Sequence, residues 1–197
     1  LMHRAKAIEN QHEFHLGNSS SANFIGSKKV IQNLTTKNSY GEIVPVDGRE
    51  IRVGVIDTGI DYTHKMFGGD NLELSYSEND PDSVEPSSFP TLKVAGGIDL
   101  VGTNYDSSSA LLHDRIPKPD MDPLDEAGHG THVAGTVAGI GDGVHTYDGV
   151  APGALLYAIK VFGANGSTSD HVVIAALEYA VDPNGDLDIG DRLDGLN

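Results

Sequence analysis

Two stretches of this 197-residue chain carry groups that could move a proton. Asp125-Glu126-Ala127-Gly128-His129-Gly130-Thr131-His132-Val133-Ala134-Gly135-Thr136 sets an imidazole between two glycines, ahead of small and apolar residues. Gly128 and Gly130 bring no side chain against the ring, and Val133, Ala134 and Val137 are spaced to bury a helix behind it, as a general base requires. Ile51-Arg52-Val53-Gly54-Val55-Ile56-Asp57-Thr58-Gly59 is an apolar run that stops at an acid, a hydroxyl and a glycine. Such a run reads as a buried parallel strand. In open α/β sheets chemistry collects past the carboxyl ends of the strands, where Asp57 stands. A carboxylate there can accept the Nδ1 proton of an imidazole, fix its tautomer and stabilise the cation formed as the ring takes a proton.

The blocks Val55-Ile56-Asp57-Thr58-Gly59-Ile60-Asp61-Tyr62-Thr63-His64 and Gly128-His129-Gly130-Thr131-His132-Val133-Ala134-Gly135-Thr136 resemble the Asp and His motifs of the subtilisin-like serine proteases, in that family's order. The resemblance implies a three-layer α/β/α fold on a parallel sheet, incomplete in this chain. It implies a secreted serine endopeptidase in which Asp57 orients the ring, His129 is the general base and His132 is structural. The family's nucleophile lies in a later Gly-Thr-Ser motif and its oxyanion asparagine in a later Gly-Asn motif, and neither follows the His block here. The expectation is therefore that a second chain or fragment completes the catalytic domain, or that this chain is a truncated form. Two other readings compete. One is an inactive, protease-like binding or scaffolding module. The other is a metal hydrolase built on Asp57, His129 and His132, against which the glycines and the lack of a glutamate base both count.

A formal net charge of −16 disfavours nucleic acid and anionic membranes as partners, since their phosphates would repel it; a polypeptide substrate is what the resemblance implies. The absence of cysteine excludes a disulfide frame and thiol chemistry without fixing the redox compartment. No apolar run approaches the ~20 residues needed to span a bilayer. The N-terminus shows no basic start followed by an apolar block, so a secreted form has already lost its signal.

The chain divides into residues 1–47, an N-terminal extension, linker and docking segment, and 48–197, the N-terminal portion of the catalytic domain. Leu1, Ala5 and Ile8 keep a loose helical spacing, and Gly17 to Ser21 suits a linker. His12 and His15 have no third ligand nearby and read as surface residues. Asn23 to Leu34 resembles the segment that packs against the sheet at the start of the mature protease. Many relatives carry a calcium-ligating aspartate where Met66 stands, and a thioether is a poor ligand for a hard cation. Between about Asp80 and Glu126 acids outnumber bases around a strand-like island, Leu92 to Val101. A solvated excursion is the favoured reading; a lobe that biases the cleft toward basic peptides is the sharper one.

A helix is predicted from His129 to about Gly139, a buried strand over Leu155 to Phe162, and a second helix from Asp170 to about Val181 with Val173, Ala176, Leu177 and Ala180 on its buried face. The glycines at 139, 141 and 143 follow a helix and open none, the wrong context for a phosphate loop. By the resemblance, Gly166, Ser167 and Thr168 bind the backbone of a peptide by strand addition. From the residues alone this is a turn ahead of a helix, with Thr168 or Ser169 as N-cap. Asp182, Asn184, Asp186, Asp188 and Asp191 place oxygen side chains at near-alternate positions, resembling a calcium loop. The loop lacks the glycine and final glutamate of an EF-hand, and an empty acidic turn is the alternative. Asp194 to Asn197 reads as the start of another core strand. Asn18, Asn33 and Asn165 fit the glycosylation pattern, and a glycan on Asn165 would crowd the cleft.

Overall fold

The computed structural model describes residues 22, 24–143 and 147–197. The helical spacing over residues 1–15, the linker at 17–21, the His12 and His15 pair and Asn18 fall outside them. Near the N-terminus, helix α1 (Ser27–Asn33) precedes an antiparallel hairpin, β1 (Thr35–Lys37) and β2 (Ile43–Pro45). None of the α1 residues is buried, and Phe24 is 92% exposed. The expected docking segment therefore presents its large apolar groups outward.

The main sheet consists of β3 (Arg52–Asp57), β4 (Val94–Asp99), β5 (Leu155–Lys160) and β6 (Gly195–Leu196) in the order β4-β5-β3-β6, with every pair parallel. The first three match the expected apolar runs, and the fourth falls where another strand was expected to start. The last is short, but its pairing continues one residue on, where Asn197 bonds both Gly54 and Ile56 of β3. Helices α2 (Glu73–Ser77), α3 (His129–Ala138) and α4 (Asp170–Val181) complete the fold.

Alternation along buried strands supplies the two faces. Val55, Val94, Leu156 and Ala158 pack on one side with Ala134 and Ala138 of α3. Ile56, Ile98, Tyr157 and Ile159 pack on the other with Val172, Ala176 and Ala180 of α4. This is the three-layer α/β/α arrangement. The buried stripe of α4 differs from the predicted one: Val172 replaces Val173, and Leu177 is 46% exposed. Small residues along the row spaced by four let the helix lie close to the sheet on that row, which turns Leu177 outward.

The acidic interval is solvated only in part: residues 81–92 and 110–119 are exposed or half-buried, while other parts are sheltered. Val101, Tyr105, Leu124, Asp99, Asp122 and Asp125 are all buried in it. The Met66 thioether packs against the core cluster that contains Phe67. Register places Asp57, Lys160 and Asp99 level at the carboxyl ends of β3, β5 and β4.

Candidate active site

The first turn of α3 is fixed to the end of β3 by Asp125. Gly128 supplies the left-handed backbone (φ 88°) from which the helix starts. The buried Asp125 carboxylate accepts from the N–H groups of Ala127 and Gly128 at 3.0 and 2.8 Å, and from Thr131 N–H and Oγ1 at 2.8 and 2.6 Å. It also accepts from Thr58 Oγ1 at 2.8 Å, and that hydroxyl in turn accepts from Gly130 N–H at 2.9 Å. Two first-turn helix donors are thus satisfied by side chains, Thr131 N–H by Asp125 and Gly130 N–H by Thr58, the residue after Asp57. A Cβ on Gly130 would lie 2.2 Å from the carbonyl oxygen of Gly59. That glycine serves close approach of helix to strand end, whereas its expected part was only to leave the imidazole uncrowded.

This framework brings His129 onto Asp57. Nδ1 lies 2.7 Å from Oδ1 and 2.9 Å from Oδ2, and Oδ1 also accepts from Thr58 N–H at 2.7 Å. A carboxylate only accepts, so Nδ1 carries the proton and Nε2 presents its lone pair. The Asp57 side chain is 12% exposed and the His129 side chain 71%. Asp57 is the sole hydrogen-bond partner of the ring among the described residues. An oriented base with an open edge is what this geometry offers. His132, one turn away, is exposed. Among the described residues no group of three or more His, Asp or Glu side chains is gathered as metal ligands, Asp57, His129 and His132 included.

Beneath the pair lies a cation that the sequence reading passed over. Lys160 is fully buried, with Nζ 3.0 Å from Asp99 Oδ2 and 3.0 Å from Glu126 Oε2. Burial alone would pull its pKa down, but Asp99 and Glu126 outweigh burial and hold it above the ordinary lysine value. With the folded value raised, the stabilisation is complete at neutral pH and is lost only as pH climbs through the lysine range. Around it, burial pushes the Asp120 carboxyl up to about 6 with the Asp99 charge adding to it, and burial also raises Asp122. A lysine ending an apolar run flanked by buried strands was the available signal, because such residues are seldom buried unpaired. Lys160→Met would leave two carboxylates facing each other without a cation. We expect a loss of roughly 3–5 kcal/mol in urea unfolding at neutral pH, partly recovered by adding Asp99→Asn. A loss below about 1 kcal/mol would exclude a neutralising role.

Gly166, Ser167 and Thr168 follow β5 and are not near Asp57 in sequence; their outer contacts are with residues 103–107. Ser169 occupies the N-cap position of α4 without a side-chain capping bond, and its Oγ accepts from Tyr105 OH at 3.1 Å. In the acidic loop, Asp182 accepts main-chain N–H bonds from Gly185, Asp186 and Leu187, Asn184 from Asp186, Asp186 from Asp188, and Asp188 from Gly190. Asp191 Oδ1 is buried without a hydrogen-bond partner.

Residues 48–189, more than half of the chain, match the family model described as the subtilase family, Peptidase_S8. The chain belongs to the subtilase family. This subtilase is 38% identical over 141 residues to the minor extracellular protease Vpr of Bacillus subtilis (strain 168), covering 71% of the chain and 13% of that relative. It is 34% identical over 137 residues to a thermostable alkaline protease of Halalkalibacterium halodurans, covering 70% of the chain and 26% of the relative. Against subtilisin E of Bacillus subtilis (strain 168) the identity is 31% over 129 residues, 60% of the chain and 34% of the relative. The subtilase chain described here thus spans about a third or less of the length of these relatives.

Proposed function

We propose that the protein is an extracellular serine endopeptidase whose nucleophilic serine and oxyanion donors lie in a portion of the catalytic domain outside this chain. The observation that carries the reading is the bond from His129 Nδ1 to the sheltered Asp57 carboxylate, with the rest of the ring open. In the proposed reaction the serine Oγ bonds to the peptide carbonyl carbon as its proton passes to Nε2. Asp57 stabilises the imidazolium, which then gives the proton to the departing amine as the C–N bond breaks. Water repeats the sequence on the acyl-enzyme. Gly166, Ser167 and Thr168 bind the substrate backbone, and selectivity comes from side-chain pockets. Relatives named as an extracellular protease and as subtilisins support both the activity and the location.

The test uses the full-length protein and a panel of peptides. We expect cleavage that a fluorophosphonate reagent abolishes, its mass appearing on a serine beyond residue 197, and that EDTA leaves initially intact. Absence of both cleavage and labelling would sink the peptidase reading and leave a binding or scaffolding module.

The same reading assigns a structural calcium ion to Asp182, Asn184, Asp186, Asp188 and Asp191. Support comes from the donor set, hard oxygens on a short loop, and from the orphaned Asp191 Oδ1. The present arrangement does not gather these side chains as ligands, since their oxygens accept main-chain N–H groups instead. Calcium at about a hundred times its dissociation constant should raise the thermal midpoint by roughly 5–10 °C over EGTA. An equal shift in the Asp186→Ala, Asp188→Ala variant would place the ion elsewhere.

A further inference from the structure

The stretch from Thr103 to Ser107, part of the long interval between the Asp and His motifs, is bonded to the segment that carries Gly166, Ser167 and Thr168. Ala164 N–H donates to Thr103 C=O at 2.9 Å, and Ser107 N–H donates to Ser167 C=O at 3.0 Å. Asp106 Oδ1 accepts from Ser167 N–H at 3.1 Å and from Ser167 Oγ at 3.0 Å. Ser107 Oγ lies 2.8 Å from Ser167 Oγ and donates to Thr168 C=O at 2.6 Å. The approach is close enough to need glycine: a Cβ on Gly163 or Gly166 would fall 2.5 or 2.2 Å from the carbonyl oxygen of Tyr105. The clamp is itself anchored, because Asp106 N–H donates to Asp114 C=O and Asp106 Oδ1 also takes the N–H and hydroxyl of Ser108. Those bonds, from Ser108 first and Ser167 next, hold the Asp106 carboxyl down to about 2, so it is ionised at any working pH.

Residues 103–107 take Ala164 N–H and Thr168 C=O as well as Ser167, so the segment is held at successive residues. Both main-chain groups of Ser167 are taken by Asp106 and Ser107. The main-chain N–H groups of Gly166 and Thr168 have no hydrogen-bond partner among the described residues. We propose that Asp106 and Ser107 are positioning residues that hold this segment in place, so that the N–H groups of Gly166 and Thr168 are pre-set to pair with peptides extending several residues to the acyl side of the cut. This rests on the peptidase reading above. A segment ordered before substrate arrives does not lose that freedom on binding, which favours affinity for long substrates over turnover.

The experiment compares full-length wild type with Asp106→Ala, Ser107→Ala, the Asp106→Ala, Ser107→Ala double variant and Asp106→Asn. Two substrates are used, one with four residues on the acyl side of the cut and one with a single residue. For the double variant we expect KM on the long substrate to rise about tenfold with kcat within about twofold, and kcat/KM on the short substrate to stay unchanged. Asp106→Asn keeps an acceptor oxygen at the same place and should stay within about twofold of wild type throughout. Unchanged KM on the long substrate overturns the proposal. So does a parallel loss on both substrates, or a fall in the active fraction counted by fluorophosphonate labelling, since either marks general structural damage. Failure of wild type to cleave either peptide would instead strike the peptidase reading.

Discussion

Replacing His129 with alanine in the full-length protein is expected to lower kcat on a good peptide substrate by about 10⁶-fold while KM moves only a few-fold. The ring makes one hydrogen bond, to Asp57, and is otherwise exposed, so its removal takes little from the packing that holds α3 on the sheet. That packing runs through Ala134 and Ala138, and the helix start is fixed by Asp125. What disappears, on the proposed reading, is the base that takes the serine proton and returns it to the leaving amine. A residual rate of about 10³–10⁴ over water would persist from binding and from oxyanion donors elsewhere in the domain. Burst kinetics and circular dichroism on the same preparation separate a chemical loss from a folding loss. A variant that is folded and within tenfold of wild type would show that another residue is the base.

How much of this was readable beforehand depended on whether the signal was local. Strands buried on both faces announce themselves as apolar runs, so β3, β4, β5 and the start of β6 could be placed, as could the two long helices. Asp57 and His129 stood out because each sits where a regular element meets glycine-rich turns. The parts that escaped are those in which distant residues share one bond. Thr58 bonds Asp125 across 67 positions, and Lys160 bonds Glu126 across 34. Nothing in the spacing of an acid-rich interval says which carboxylates are sheltered; burial of Asp99, Asp122 and Asp125 follows from tertiary packing. Nor does composition reveal that residues 103–107 lie against 164–169, since both stretches read as polar turns. On α4 the expected Ala176 and Ala180 are buried, but Val172 takes the place of Val173 and Leu177 turns outward, because the close fit of the alanines on the sheet decided the outcome over hydrophobicity.

The buried charges explain how an acid-rich site can keep an oriented imidazole. Lys160, level with Asp57 on the neighbouring strand, neutralises Asp99 and Glu126. Tyr62 donates to Asp122, and main-chain N–H groups occupy Asp125. Each acid near the strand ends other than Asp57 is therefore engaged by its own donors, and none competes for the His129 Nδ1 proton. The arrangement leaves one carboxylate, on β3, to set the tautomer.

That assignment makes Asp57→Asn the second large loss, about 10⁴-fold in kcat with KM nearly unchanged. The amide is the same size and keeps an acceptor, but Thr58 N–H at 2.7 Å from Oδ1 decides which end of it faces which neighbour. With the amide oxygen held by Thr58 at the Oδ1 place, the NH₂ group takes the Oδ2 place, 2.9 Å from Nδ1, where it opposes an Nδ1–H and favours the tautomer in which Nδ1 accepts. The proton moves to Nε2, the atom that has to receive the serine proton, and the base is blocked without being displaced. The imidazolium also loses its counter-charge. Because both residues act through one ring, His129→Ala with Asp57→Asn should be no slower than His129→Ala alone, a non-additivity that kcat values for the four proteins would reveal. If the double variant is slower by the full product of the two losses, Asp57 acts on something other than His129. If Asp57→Asn alone loses less than tenfold, the carboxylate does not orient the base.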